Sequence, residues 1–262
     1  MNRGLGYLHP DPKLLAKRWP ITHERLALAA TSPAGYANNA WQTVGVLDQW
    51  SLGTCVENGY MELIRANSKK LFPDTIPALG SRLMAYLIAQ IASGQTDPII
   101  DNGLDPLIGI DALKRHGVCA EKDWPYTDGA GWNKWPKDLA RRFRDAYDMH
   151  DLEAFFVQTT GARRVDDVKI LLDRGYQVGI GGNIGQEYRT WKKGDKPLDP
   201  PTISIGGHFR VIEGYDGDIF SELGSWGADS ADNGRWLISA DYVASPRTST
   251  LMVIKKALVI TL

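Results

Sequence analysis

The sequence predicts an α+β fold in which helices come first and strands follow, and three observations lead to that prediction. After Cys55, the apolar residues Val56, Tyr60, Leu63 and Ile64 recur at the spacing of one helix face. From about residue 176 onward, the pattern changes to short apolar runs bounded by glycine turns, as in strands. The two patterns are segregated along the chain, which indicates α+β rather than alternating βαβ units.

Residues 1–45 carry Pro, Gly, Asn and Ser with little periodicity, and are predicted to form an extended N-terminal arm. A helical lobe is expected over residues 46–150 and a β-rich lobe over residues 151–262. Gly53 breaks the chain before the first helix, where Thr54 and Glu57 have the spacing of a capping box.

The predicted helices cover residues 55–69, 81–93, 104–116, 137–147 and 165–174, the last of them closed by Gly175. The predicted strands cover residues 176–183, 207–215, 219–225, 235–239 and 250–259.

Composition excludes several classes of protein. With 262 residues and 43% apolar content, the chain can bury one sizeable core or two half-size cores. A net charge of −1 with scattered Lys and Arg argues against a nucleic-acid partner. No apolar run approaches the ~20 residues that span a bilayer, and residues 1–20 lack the apolar stretch of a signal peptide. We expect a location in the cytoplasm or in a virion or other assembly, and no membrane partner.

Cys55 is the first residue of the predicted helix, where free backbone N–H groups and the helix dipole favour a thiolate. Gln49, six residues earlier, carries a side-chain amide that could donate to an oxyanion beside the sulfur. The alternative is a buried structural cysteine, the commoner fate of a single Cys.

Three motifs then occur in a fixed order: Gln49 six residues before Cys55, Gly-Gly-His at 206–208 with Gly-Tyr-Asp at 214–216, and Ser-Trp-Gly at 225–227. In these motifs the chain resembles papain-like cysteine peptidases of the bacterial and phage type. Further similar stretches, such as Gly-Tyr-Leu at 6–8, extend the resemblance over nearly the whole chain. Motifs this short are only hypotheses when taken singly.

The resemblance implies a helical lobe facing an antiparallel β-barrel-like lobe, with the active site in the cleft between them. It implies Cys55 as nucleophile, His208 as general base and acid, and Gln49 with the Cys55 backbone N–H as the oxyanion hole. For His208, the alternative is a histidine satisfied within the core.

Substrate binding is expected at Gly181, Gly182 and Trp226. The paired glycines end a strand that lines a specificity pocket in the family, and without side chains they would leave that pocket open. In secreted relatives a disulfide cysteine often stands where this chain has Leu52, so Cys55 and Cys119 are interpreted as free thiols.

The chain departs from the family at the residue that orients the histidine. An Asn directly precedes Ser-Trp-Gly in the family, whereas this chain has Gly224. His208 would then be oriented by a water, a backbone carbonyl or packing under Trp226, and an Asn placed at 224 would restore the orienting bond if there is room. Trp50 replaces the glycine that follows the oxyanion glutamine, and its ring is expected to narrow the cleft.

Arg210 and Glu213 put charges on a strand that is mostly apolar in relatives. If His208 lies opposite Gly224, antiparallel pairing places Arg210 directly opposite Glu222, a mildly favourable cross-strand pair. The alternative is two unrelated, solvated charges.

The leading interpretation is a papain-like thiol hydrolase that cleaves peptide or isopeptide bonds in a peptide or protein, cell-wall peptide included. The alternative is a weakened or inactive papain-like module that serves as a structural or binding component of a phage particle or other assembly, with partners on the N-terminal arm. Acyl transfer on the same thiol is a third reading. No His/Cys/Asp cluster has metal-ligand spacing and no phosphate-binding loop occurs, so neither metal nor cofactor is expected.

Overall fold

The computed structural model describes residues 3–15, 17, 20–21, 34–95 and 99–258. Part of the predicted arm and residue 259 of the last predicted strand lie outside the described residues. The helices are α1 Pro12–Leu15, α2 Cys55–Leu71, α3 Arg82–Ala92, α4 Pro106–His116, α5 Leu139–Arg144, α6 Gly161–Asp173, α7 Gln186–Thr190 and α8 Ala240–Ala244, with a 3₁₀ turn at Ala40–Gln42. The strands are β1 Pro20–Ile21, β2 Tyr36–Asn38, β3 Ala154–Val157, β4 Val178–Ile184, β5 Gly206–Asp216, β6 Ile219–Leu223, β7 Arg235–Ser239 and β8 Thr248–Ile254.

The predicted helices all exist, and their ends differ from prediction for local reasons. Helix α6 begins four residues earlier than predicted, because its first turn (161–164) contains no large apolar residue to mark it. Asp105 and Ser81 cap α4 and α3 by accepting hydrogen bonds from Leu107 N–H and Met84 N–H. Helices α7 and α8 are five residues each, too short to show periodicity, and were not predicted.

The predicted capping box at the start of α2 is wrong. Thr54 makes no side-chain cap, because its hydroxyl contacts Tyr126 Oη at 2.5 Å and accepts from Asn58 Nδ2 at 3.1 Å. The Glu57 carboxyl is buried and neither oxygen has a hydrogen-bond partner among the described residues. Burial raises the pKa of Glu57 to about 8.

Within the described residues, eight strands form one mainly antiparallel sheet in the order β1-β3-β8-β4-β5-β6-β7, and β2 pairs with β5. Alternate residues of β5 face opposite sides. Phe209 and Val211 join the core under α2, α3 and α4, whereas Ile212 joins the core formed with α6. Gly59 of α2 lets the helix approach the sheet, since a Cβ there would lie 2.4 Å from the Phe209 ring. The predicted α+β class is therefore confirmed.

The predicted register between β5 and β6 is wrong, although the ion pair inferred from it exists. Glu222 pairs with Ile212 instead of Arg210, a shift of two residues. A two-residue shift keeps both side chains on the same face, so Arg210 reaches Glu222 diagonally, with Nε 3.1 Å from Oε1. The pair is fully buried, which excludes the alternative of two solvated charges.

Candidate active site

Cys55 lies at the start of α2, where the helix meets the sheet, and its side chain is inaccessible to solvent. Burial raises the pKa of the Cys55 thiol to about 12, while hydrogen bonds from the backbone N–H groups of Phe209 and Gly6 act in the opposite direction. The expectation that the helix start favours a thiolate is wrong for this arrangement, because desolvation outweighs the helix terminus. Burial also raises the pKa of Cys119, to about 11. Both cysteines are free thiols, as predicted.

Gln49 begins the loop that leads to Cys55, called the cysteine loop below. It is fully buried, and its side chain hydrogen-bonds main-chain carbonyls. Its Nε2 donates to the carbonyl oxygen of Gly4 at 3.1 Å and to that of Leu52 at 2.7 Å. Its Oε1 accepts from Ser225 Oγ at 2.5 Å. The amide thus donates to two carbonyls of its own chain, and its role as an oxyanion donor stays a prediction. Ser225, part of the Ser-Trp-Gly motif, fixes the orientation of this amide, a role that the sequence did not reveal.

The N-terminal residues Arg3–His9, called the cleft segment below, lie along the cysteine loop. Gly4 N–H donates to Trp50 O at 3.0 Å, and Leu104 N–H donates to Gly6 O at 2.5 Å. Tyr7 N–H donates to Gly207 O at 3.3 Å, which joins the segment to the strand that carries His208. The segment therefore bridges the helical side and the sheet at the position of Cys55.

Glycines make this close contact possible. A Cβ on Gly6 would lie 1.7 Å from the Gly53 carbonyl oxygen, and a Cβ on Gly4 would lie 2.1 Å from Leu52 O. The Gly6-Tyr7-Leu8 motif is visible in the sequence, but nothing in it indicates which surface it contacts.

The His208 ring lies on the other face of β5 from Phe209, among aromatic side chains. Its centroid is 4.8 Å from that of Trp226 and 5.8 Å from that of Tyr188. Neither ring nitrogen makes a hydrogen bond to any described group, Cys55 included. Burial first, then the charges of Arg210 and Arg189, hold the pKa of His208 well below its ordinary value. The imidazole is therefore neutral near pH 7.

The space beside Gly224 is filled by an indole ring. A Cβ on Gly224 would lie 2.6 Å from Cζ3 of Trp236. Trp236 is fully buried, stacks on Tyr188 with centroids 4.6 Å apart, and donates Nε1–H to Tyr188 O at 2.9 Å. An Asn at position 224 would need room for its side chain, and the Trp236 ring already occupies that space. Of the three orienters considered from the sequence, packing against Trp226 is the one found among the described residues.

The predicted substrate-binding glycines contact other parts of the chain. A Cβ on Gly181 would lie 2.3 Å from the Tyr7 ring, and a Cβ on Gly182 would lie 2.5 Å from Arg247 O. The Tyr7 hydroxyl contacts Ser249 Oγ at 2.5 Å and Thr250 Oγ1 at 2.8 Å. The space that Gly181 leaves is thus occupied by Tyr7 of the cleft segment, so the pocket expected to be open is filled.

Trp50 has φ of 47°, a backbone conformation that favours glycine. This accounts for the glycine that the family carries at this position. Trp50 is 41% exposed, and its ring lies edge-on to that of Tyr126, with centroids 6.1 Å apart.

Among the described residues, no group of three or more His, Cys, Asp or Glu side chains could hold a metal ion. No helix in that part of the chain is long and apolar enough to cross a membrane.

Comparisons with known proteins bear on the fold of the chain. No protein-family model matches the chain. The chain is 24% identical over 217 residues to an uncharacterized peptidase C1-like protein of Acanthamoeba polyphaga mimivirus, an alignment that covers 78% of this chain and 67% of that protein.

Three solved structures share its fold. Xylellain, a cysteine protease from Xylella fastidiosa, superposes with a TM-score of 0.76 at 24% identity, over 97% of each chain. Procathepsin B S9 from Trypanosoma congolense gives 0.70 at 13% identity, over 99% of this chain and 87% of that one. Procathepsin L 3 from Tenebrio molitor larval midgut gives 0.68 at 12% identity, over 97% and 76%. The chain therefore has the two-lobed α+β fold of the papain-like cysteine proteases.

Proposed function

We propose that this chain is a papain-like thiol hydrolase of peptide bonds whose active site is closed by its own cleft segment. Cys55 is the nucleophile, His208 the general base and acid, and Gln49 the oxyanion donor. One observation carries the proposal: the Gln49 amide already binds a main-chain carbonyl, that of Gly4, beside a cysteine at a helix start. The Gln49 amide can therefore donate to a main-chain carbonyl, which is the kind of group that a peptide substrate presents.

In the closed arrangement the Cys55 thiol is not activated as a nucleophile. The Cys55 thiol has a pKa of about 12, and the neutral His208 imidazole has no hydrogen bond to it. The Gly6 N–H that faces the sulfur belongs to the cleft segment itself. Departure of the segment would admit water to the sulfur and reduce the desolvation that raises its pKa.

In the open state the thiol adds to a substrate carbonyl. The sulfur forms a bond to the carbonyl carbon, its proton passes to His208, and Gln49 Nε2 donates to the new oxyanion. Cleavage of the C–N bond returns that proton to the leaving amine and gives a thioester. Water then hydrolyses the thioester to the acid and the free thiol. The reaction requires His208 to reach the sulfur, and its neighbour Phe209 already contacts the sulfur through its backbone N–H.

A second candidate, an inactive binding module, is favoured by two observations. Trp236 occupies the space beside Gly224, and both His208 nitrogens are buried without a described partner. In this alternative the cleft segment stays in place, and the protein serves as an assembly component, such as a phage particle subunit. Isopeptide cleavage and a cell-wall substrate remain variants of the leading proposal.

The test displaces the cleft segment by a single methyl group. In Gly6→Ala and Gly4→Ala the new Cβ would overlap a backbone carbonyl, so the contact between the segment and the loop before Cys55 must open. Gly129→Ala is the matched control, because its nearest neighbour would be 3.5 Å away. Near-ultraviolet circular dichroism verifies that each variant is folded.

The readouts are iodoacetamide labelling of Cys55 and turnover of a mixed fluorogenic peptide library. We expect both to rise in Gly6→Ala and Gly4→Ala, to stay at the wild-type level in Gly129→Ala, and turnover to vanish when Cys55→Ala is added. Folded segment variants with a labelled Cys55 but no turnover would overturn the hydrolase and support the inactive module.

A further inference from the structure

A buried ion pair joins β5, the strand of His208, to β6. Arg210 Nε is 3.1 Å from Glu222 Oε1 and 3.2 Å from Oε2, and both side chains have zero exposure. Burying two charges costs more than their attraction often returns, and apolar pairs of similar volume are frequently as stable. Stability alone is therefore a weak reason for such a pair.

The guanidinium contacts the histidine through the backbone and through its aromatic wall. Arg210 Nη1 donates to the His208 carbonyl oxygen at 3.2 Å. The guanidinium carbon lies 5.3 Å from the Tyr188 ring centroid and 5.3 Å from that of Tyr242. Tyr188 in turn lies edge-on to the imidazole. The Arg210 side chain thus contacts both the β5 backbone at His208 and the Tyr188 ring that packs against the imidazole.

This arrangement substitutes for a polar orienter. The Trp236 ring fills the space beside Gly224, and no described side chain hydrogen-bonds either imidazole nitrogen. We propose that the Arg210–Glu222 pair is a positioning device for His208, which sets the plane of the imidazole through Tyr188 and the His208 carbonyl. The expected effect on turnover rests on the proposed thiol hydrolase function. The position of the His208 ring can be measured even if the protein has no such activity.

The charge of the pair also affects the protonation of the imidazole. The charged and titratable groups around the ring are Arg210 on its own strand, Arg189 and Tyr188 from α7, and Glu222 from β6 beyond Arg210. Glu222→Gln removes the anion and leaves the Arg210 cation uncompensated, which shifts the imidazole pKa further down. Arg210→Met removes the cation that lowers the imidazole pKa more than Arg189 does, and moves that pKa up.

The closing experiment uses the full chain with an apolar replacement of the pair, Arg210→Met/Glu222→Leu. Arg65→Met/Glu62→Leu is the matched control, because Arg65 Nη1 and Glu62 Oε2 form another buried pair, 3.1 Å apart, on α2. The first readout is the His208 Cε1–H resonance and its pH titration. The second is kcat and KM in the Gly6→Ala background.

We expect the Arg210/Glu222 replacement to shift the His208 resonance and raise its titration midpoint. We also expect kcat to fall about 10- to 100-fold with KM unchanged, as is usual when an orienting partner is lost. The Arg65/Glu62 replacement should leave the resonance and kcat as they were.

An unchanged His208 resonance, or an equal change in the Arg65/Glu62 control, would overturn the positioning role and leave a structural brace. If the Gly6→Ala background shows no turnover, the hydrolase proposal fails. The resonance alone then decides on the positioning role, supporting it if shifted and overturning it if not. Glu222→Gln with a rise in the titration midpoint would also contradict the argument.

Discussion

Cys55 and His208 are both fully buried, but different kinds of structure cover them. The Cys55 sulfur faces backbone N–H groups, one of which belongs to the cleft segment. The His208 ring faces Trp226 and Tyr188, which belong to the sheet side of the molecule. The cover over the nucleophile belongs to the N-terminal segment, which is anchored by the buried Tyr7 side chain, whereas the histidine is enclosed by residues that follow β4 and β6. The two halves of the site are therefore closed by different means.

The difference indicates which region would regulate the proposed hydrolase activity and which region would limit it. In the proposed function the cleft segment must leave the thiol, and the described arrangement would then be that of a latent enzyme. The aromatic residues around His208 hold the imidazole by packing alone, and Trp236 occupies the position at which a polar orienter would enter. The following predictions test the two regions separately.

The largest expected effect is on the reactivity of Cys55. With pKa values of about 12 for Cys55 and about 11 for Cys119, neither thiol is ionised appreciably at pH 8. We expect iodoacetamide to label Cys55 in the closed protein about 1000-fold more slowly than an exposed cysteine, and no faster than Cys119. Both rates should rise about tenfold per pH unit between pH 7 and 9.

Mass spectrometry of the labelled peptides measures both rates in one sample, and urea-unfolded protein is the control in which the two cysteines should react alike. A Cys55 rate that levels off near pH 6 or 7 would show a stable thiolate, and the closed arrangement would be wrong.

The second effect concerns the buried carboxyl two residues beyond Cys55. The pKa of Glu57 is raised to about 8, so the folded state holds a proton that the unfolded chain loses near pH 4.5. The stability contribution is therefore fully present below about pH 4.5 and is lost as the pH rises to about 8. Glu57→Gln should be more stable than wild type by about 3 kcal/mol at pH 7, with a smaller difference at pH 5.

Urea unfolding at pH 5, 6.5 and 8 measures this difference, and Glu153→Gln, at an exposed position, is the control. A stability difference independent of pH would mean that Glu57 ionises normally in the folded protein.

The third effect concerns the enclosure of His208. In Gly224→Asn the new side chain would meet Trp236, so we expect a loss of stability of about 1–3 kcal/mol and no gain in turnover. Gly129→Asn has space and should cost little. Thermal unfolding with parallel peptide assays measures both quantities. Unchanged stability together with higher turnover would show that Trp236 moves aside and that the site is a weakened peptidase which an amide can repair.

Local patterns in the sequence were sufficient for much of the fold. The apolar stripe after Cys55 predicted α2, and the glycines before His208 predicted the start of β5 to within one residue. The Arg210–Glu222 pair was predicted from a wrong register because facing side chains repeat every two residues. An error of two residues therefore preserves the face and the contact.

Tertiary packing decided the features that the sequence did not reveal. The cleft segment lies in place through contacts such as Gly6 with Gly53, which have no periodicity and no fixed spacing along the chain. The prediction of a thiolate at Cys55 does not hold in this arrangement, because burial raises the thiol pKa by more than the helix start lowers it. The filling of the space beside Gly224 by Trp236 likewise depends on how two strands pair, not on either motif alone.

The smallest expected effect lies at Trp50, on the loop between Gln49 and Cys55. Its φ of 47° is a strained conformation for a side-chain-bearing residue, while its ring is 41% exposed and contacts Tyr126. Trp50→Gly removes the strain but also that contact and adds freedom to the unfolded chain, so we expect a net change in stability within about 1 kcal/mol. Trp50→Ala loses the same contact and keeps the strain, so it should be less stable than Trp50→Gly by about 1 kcal/mol. Urea unfolding of the two variants isolates the backbone contribution, because the lost ring is common to both. Equal stabilities would mean that the loop relaxes to negative φ in the alanine variant, so that the strain at Trp50 is not imposed by the rest of the fold.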